Sequence, residues 1–230
     1  MRTEIEYNPA YTMLTLELSG GESVKAEPGA MVAQQDVEMT TGMGSGGVFG
    51  GLKRMMGGES FFVNTFTCEG PGNGWVSLSP PVPGDIVGHE LGGGESLIVQ
   101  SGSFLASTGD VELDTSFSGG RGLFSGEGLF LLRAYSNGGG GTIWFDSYGA
   151  VKELEVTHGS ELVVDTGHMV AFTEGVDYSI GKVGGIRSLI GGGEGLVMKF
   201  QGMGTVWVQS RNISALANSL IPFLPKPTSR

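Results

Sequence analysis

The chain has 230 residues, 39% of them hydrophobic, which supplies enough apolar side chain for a sizeable core and excludes a disordered protein. Its formal net charge of −11 would repel a phosphate backbone on average, so nucleic-acid binding is not expected. The single cysteine, Cys68, excludes an internal disulfide and a cysteine-based zinc site.

The polar, strand-like start from Met1 to Tyr7 does not read as a signal peptide. No apolar run approaches the about 18 residues of a membrane span. Cytoplasmic residence is the expectation. The 43 glycines cluster between short runs of Val, Leu, Phe and Thr, as turns do between strands. The first such unit begins at Glu22-Ser23-Val24-Lys25-Ala26 and continues through Gly29 to Met31-Val32-Ala33. A strand follows from Val37 to Thr40, then a glycine-rich loop, then Gly58-Glu59-Ser60-Phe61-Phe62 and a strand holding Trp75. Cys68, in the alternation Phe62, Asn64, Phe66, reads as a small buried apolar residue.

The pattern returns twice. Glu95-Ser96-Leu97-Ile98-Val99 leads through Gly102 to Phe104-Leu105-Ala106, and Ser160-Glu161-Leu162-Val163-Val164 leads through Gly167 to Met169-Val170-Ala171. Downstream, Glu127 and Glu194 match Glu59, and Trp144 and Trp207 match Trp75, one tryptophan per copy. The reading is one all-β domain over 1–230. It consists of three repeated antiparallel units, at approximately 11–80, 84–149 and 150–211, arranged with pseudo-threefold symmetry on a shared core. The turn glycines Gly29, Gly102 and Gly167 are expected to supply positive φ, so replacing Gly102 by Val is expected to destabilise the fold. Glu59, Glu127 and Glu194, recurring in every copy, read as structural turn acceptors. After the third unit, Ile213, Leu216, Ala217, Leu220 and Ile221 form one apolar helical face, with Asn212 as N-cap and Pro222 as its stop. This helical tail, 212–224, is expected to lie across the sheets; the alternative is that it docks on another subunit.

Motifs for chemistry are weak. Gly42-Met43-Gly44-Ser45-Gly46-Gly47 has dinucleotide-type spacing but no helix after it, and reads as a loop. His89, His158 and His168 lack metal-ligand spacing, and no nucleophile elbow occurs. No catalytic residue, metal or cofactor is assigned. The one unusual surface element joins apolar residues to the densest basic pair: Phe49, Leu52, Lys53, Arg54, Met55 and Met56. It is a candidate interaction loop for another subunit, a protein partner or an anionic membrane surface.

The run from Gly46 to Asn64, the segment Gly191 to Phe200 and the stretch Leu216 to Pro225 resemble the altered-inheritance-of-mitochondria (AIM) family, over roughly residues 3–225. The resemblance implies a β fold like that of the tryptophan RNA-binding attenuator protein (TRAP-like), repeated within one chain. It implies no catalytic residues and no cofactor. Fungal relatives support inner-membrane organisation in mitochondria; this chain shows no presequence, so that location does not carry over. RNA binding is not inferred from the fold name, because basic and aromatic residues are not interleaved. The expected function is therefore that of a non-enzymatic structural or interaction protein, homo-oligomeric or bound to a protein partner, with peripheral membrane contact as a further option. The alternative is a small-ligand binder or enzyme with a pocket between units.

Overall fold

A computed structural model of the chain describes residues 1–43, 61–114, 130–182 and 196–225. The first strands are β1 (Arg2–Glu6), β2 (Met13–Ser19), β3 (Ser23–Ala26), β4 (Met31–Gln35), β5 (Glu38–Met43), β6 (Phe62–Thr67) and β7 (Asn73–Leu78). Next come β8 (Ile86–Leu91), β9 (Ser96–Gln100), β10 (Phe104–Thr108), β11 (Val111–Asp114), β12 (Leu131–Ser136) and β13 (Gly141–Asp146). The last are β14 (Val151–Val156), β15 (Leu162–Asp165), β16 (Met169–Thr173), β17 (Val176–Lys182), β18 (Leu196–Gly202) and β19 (Gly204–Gln209), followed by the helix α1 (Ile213–Leu220). Among the described residues the protein is all-β with one short C-terminal helix.

Among the described residues the strands form four antiparallel sheets, ordered β1-β2-β7-β4, β5-β6-β3-β10-β13-β8, β11-β12-β9-β16-β19-β14 and β15-β18-β17. In both large sheets one strand from an earlier stretch of chain pairs with one from a later stretch. Ala106 of β10 lies opposite Ala26 of β3, and Ala171 of β16 lies opposite Val99 of β9. These two joins tie the molecule together. Residues in β9, β10 and β16 are buried at four successive positions each, because a sheet that joins two units is covered on both faces. By contrast β2 alternates, with Leu14, Leu16 and Leu18 inward and Glu17 in solvent.

The interior is divided rather than shared. Among the described residues the buried side chains form three clusters, each straddling a join. Leu105, Ala106 and Trp144 enter the cluster built on Leu14, Leu16 and Phe66. Val170, Ala171 and Trp207 enter the one built on Leu97, Val99 and Phe145.

The turn glycines divide also. Gly29 does adopt positive φ, at +95°. Gly102 and Gly167 do not; each sits inside a short 3-10 turn, at Ser101–Ser103 and Thr166–His168. At Gly102 an added Cβ would meet nothing within 4 Å, so the expected sensitivity of this position is not supported. At Gly167 the requirement is space: an added Cβ would collide with the Asn212 side-chain amide. Gly102→Ala should therefore change unfolding free energy by no more than about 0.5 kcal/mol, whereas Gly167→Ala should lose at least about 1 kcal/mol, measured by urea denaturation. Equal losses at the two sites would contradict this assignment.

Candidate functional site

The two joins carry the molecule's unusual polar chemistry. At the first, Asp146 ends β13 almost fully buried, and its Oδ2 has no hydrogen-bond partner. Burial pushes this carboxyl up to about 8, with the nearby Glu27 adding to the shift. Glu27, beyond the end of β3, is itself pushed up to about 7 by desolvation. A carboxyl in such a place sheds its charge because no cation is close enough to offset desolvation. At the second join the matching positions hold Gln100 and Gln209, which are neutral at every pH. The Gln209 amide donates to the Gly167 carbonyl at 2.9 Å and accepts from Tyr148 N–H at 2.8 Å. This join also has a clasp at its rim. The Ser96 hydroxyl donates to the Glu174 carboxylate, and Arg133 bridges to it at 2.9 Å. The serine bond, then Arg133, holds Glu174 below the usual carboxylate range.

The two ends of the array lack joins. Among the described residues β4 pairs only with β7, and β15 only with β18. Every residue of β4 is exposed, Val32 at 57%. On β15, Val163 is 46% exposed. The helix α1 starts beside this second end, since Asn212 lies against Gly167, two residues past β15. Asn212 caps it as the sequence implies, accepting from Ala215 N–H at 3.2 Å. No residue of α1 is buried, so the expected packing across the sheets does not occur. Ile213, Leu216 and Leu220 point into solvent, continued by Ile221, Phe223 and Leu224.

The remaining sequence-derived positions are scattered. Phe49, Leu52, Lys53, Arg54, Met55 and Met56, with Glu59, Glu127 and Glu194, lie outside the described residues. Cys68 is buried in the first cluster, as its alternation implied. His89 packs edge-on against Trp207 at 5.3 Å and is held below its ordinary range by burial. His168 Nδ1 lies 2.8 Å from the Gln209 carbonyl oxygen, and His158 is exposed. The histidines do not converge, and among the described residues no three His, Cys, Asp or Glu side chains are placed to hold a metal ion. The tryptophans are not equivalent. Trp144 faces Ala106 and Trp207 faces Ala171, but Ser77 faces Ala33, with Trp75 two residues away and half-buried. Each buried tryptophan fills the cluster before it, and the first stretch of chain has none before it to fill. Sequence reasoning missed Asp146, whose signal (a lone acid closing an apolar strand, Ile143-Trp144-Phe145-Asp146) was available.

The comparisons with known proteins agree with this architecture. The family model described as mitochondrial biogenesis AIM24 matches residues 3–211. An uncharacterized protein of Streptococcus pyogenes serotype M6 is 32% identical over 234 aligned positions, covering 98% of this chain and 92% of the relative. An X-ray crystal structure of a Streptococcus pyogenes protein superposes with a TM-score of 0.79 at 31% identity, covering 97% of this chain and 99% of that one. Among the described residues no helix is long and apolar enough to cross a membrane.

The buried acid makes a pH prediction. The native state keeps a proton on Asp146 up to about pH 8, whereas the unfolded chain releases it near the ordinary aspartate value of 3.8. Across that window the unfolded state binds fewer protons, so stability falls as pH rises, by up to about 1.4 kcal/mol per pH unit. Asp146→Asn, which copies the amide of the second join, should flatten this slope and melt higher than wild type at pH 8, with little difference near pH 4. Parallel melting profiles for the two proteins from pH 4 to 9 would refute the buried neutral acid.

Proposed function

The chain belongs to the mitochondrial biogenesis AIM24 family, and from that premise we propose that its work is structural: a non-enzymatic interaction protein that holds an assembly together. The observation that carries this reading is α1. An isolated eight-residue helix is marginal in water, because nucleation costs more than two turns of hydrogen bonding return. Helices this short persist when an apolar face is packed. In this one the apolar face is complete and exposed, and none of its residues is buried. A contiguous exposed run from Ile213 to Leu224 is what a partner-binding surface looks like.

The partner is a protein rather than a lipid surface. The sequence of α1, Ile-Ser-Ala-Leu-Ala-Asn-Ser-Leu, contains no Lys or Arg to meet anionic headgroups, and the chain's net charge of −11 opposes them. A purely apolar contact on a protein groove requires neither.

Leu220→Cys tests this. Leu220 is half exposed and Cys68 is buried, so the new thiol is the one a maleimide reaches. It should label fast in the purified chain at high dilution and slowly in a concentrated native extract. Equal labelling in both, or protection by anionic vesicles alone, would overturn the reading.

A further inference from the structure

Going beyond the α1 contact, we infer that the outer edge of β8 takes up an extended, basic segment of a partner protein as an added strand. The fold holds its own precedent. Strands β2, β8 and β14 are counterparts, because each pairs with a strand that carries a tryptophan: Glu17 lies opposite Trp75, Gly88 opposite Trp144 and Glu153 opposite Trp207. On its other side β2 pairs with β1, from Arg2 opposite Glu17 to Glu6 opposite Met13. Among the described residues nothing pairs with the other side of β8 or of β14. The covering strand changes what is buried. With β1 in place, Leu16 and Leu18, which flank Glu17, are buried, and Ile5 of β1 rests against the same cluster. Val87 and His89 flank Gly88 in the same way and are only half-buried, although Val87 borders the second cluster and His89 stands against Trp207. A strand added to β8 completes there what β1 completes on β2.

The two bare edges are not alike. On β14 the counterpart of Leu16 is Lys152, and a lysine on an exposed edge is a usual guard against pairing. The residues of β8, Ile86 to Leu91, include no lysine, arginine or proline. The charge at this edge is acidic. Burial holds His89 below its ordinary range, and Glu95, Glu153 and Glu90 pull the other way, so three carboxylates lie within electrostatic reach of the ring. All three are exposed, and they come from three places: Glu90 from β8, Glu95 from the turn before β9 and Glu153 from β14. Such an edge repels an acidic strand and attracts a basic one. In strand addition the main-chain hydrogen bonds supply affinity and alternate side chains supply selection. An apolar residue opposite Val87 covers the border of the second cluster. A basic residue opposite Gly88 takes the place of Arg2, which reaches Glu17 at 3.6 Å, and finds Glu90 two positions along on the same face. The partner segment therefore alternates apolar and basic side chains.

Amide hydrogen exchange on the purified full chain decides it, with a synthetic peptide as probe. The probe is acetyl-Arg-Val-Arg-Val-Arg-Val-amide, and its twin carries Glu in place of each Arg. In the free chain the outward amides of β8 should exchange faster than those of β2 that face β1. The arginine peptide should slow them, and the glutamate twin should not. Glu90→Lys combined with Glu153→Lys should weaken arginine-peptide binding at least about fivefold, with the melting temperature unchanged. N-methylating alternate peptide amides should abolish binding in one frame and spare it in the other, because one edge of an added strand faces β8 and the other faces solvent. Peptide binding with unchanged β8 exchange, equal binding of the two twins, or equal tolerance of both methylation frames would each overturn the site and leave charge attraction only. Outward β8 amides as slow in the free chain as those of β2 would show the edge already covered, by this chain or a second copy, and would overturn it too. A protected Leu220→Cys thiol in extract with a β8 edge that takes up no peptide would remove this site and leave the α1 contact standing. Peptide protection of β8 with a fully accessible thiol would establish this site and remove the α1 contact.

Discussion

Everything in this molecule depends on strand addition between stretches of chain far apart in sequence, Ala106 with Ala26 and Ala171 with Val99. Neither β3 nor β9 has a complete sheet of its own. Each borrows a partner, β10 or β16, and with it the side chains that close its cluster. Backbone hydrogen bonding and apolar burial act through the same strand, so neither can form without the other. That coupling makes each later stretch of chain stabilise the one before it, while among the described residues β4 pairs only with β7 and β15 only with β18.

The strands were readable because the pattern is written repeatedly: short β-branched runs, closed by glycine, at matching intervals. The N-cap at Asn212 was readable for the same kind of reason, since a side-chain acceptor just ahead of an apolar helical face has one use. What escaped the sequence was set by tertiary neighbours. Gly102 and Gly167 look alike in their turns. One faces open space and the other faces Asn212, more than forty residues on. Trp75 looks equivalent to Trp144 and Trp207 because all three lie in the closing strand. The register places Ser77, not Trp75, opposite the alanine. Helical periodicity shows that α1 has an apolar face, but periodicity cannot say what covers it. The basic apolar loop at 49–56 lies outside the described residues, so its part in any assembly rests on sequence alone.

The chemistry at the joins follows from the same coupling. A strand that is covered on both faces carries its polar residues into the interior with it. Amides solve this at the second join, where Gln209 gives and receives hydrogen bonds at once. At the first, Asp146 lies deeper, with an orphaned oxygen, and it is tolerated by giving up its charge. A raised carboxyl pKa in a cleft often marks a catalytic acid. Here it has a plainer origin. The group lies inside a strand join, and its neighbour Glu27 is raised by the same burial.

The exchange of tryptophan for serine at Ser77 bears directly on whether β4 is a finished surface or an unfinished one. A finished end of a repeat array is polar on its outer face. The exposed pair Gln34 and Gln35 fits that description, but Val32 and Ala33 do not, and their counterparts Leu105, Ala106, Val170 and Ala171 are wholly buried in the preceding clusters. An end built for solvent would have replaced those first, since exposed apolar side chains on a bare edge invite pairing while a buried tryptophan's absence merely leaves room.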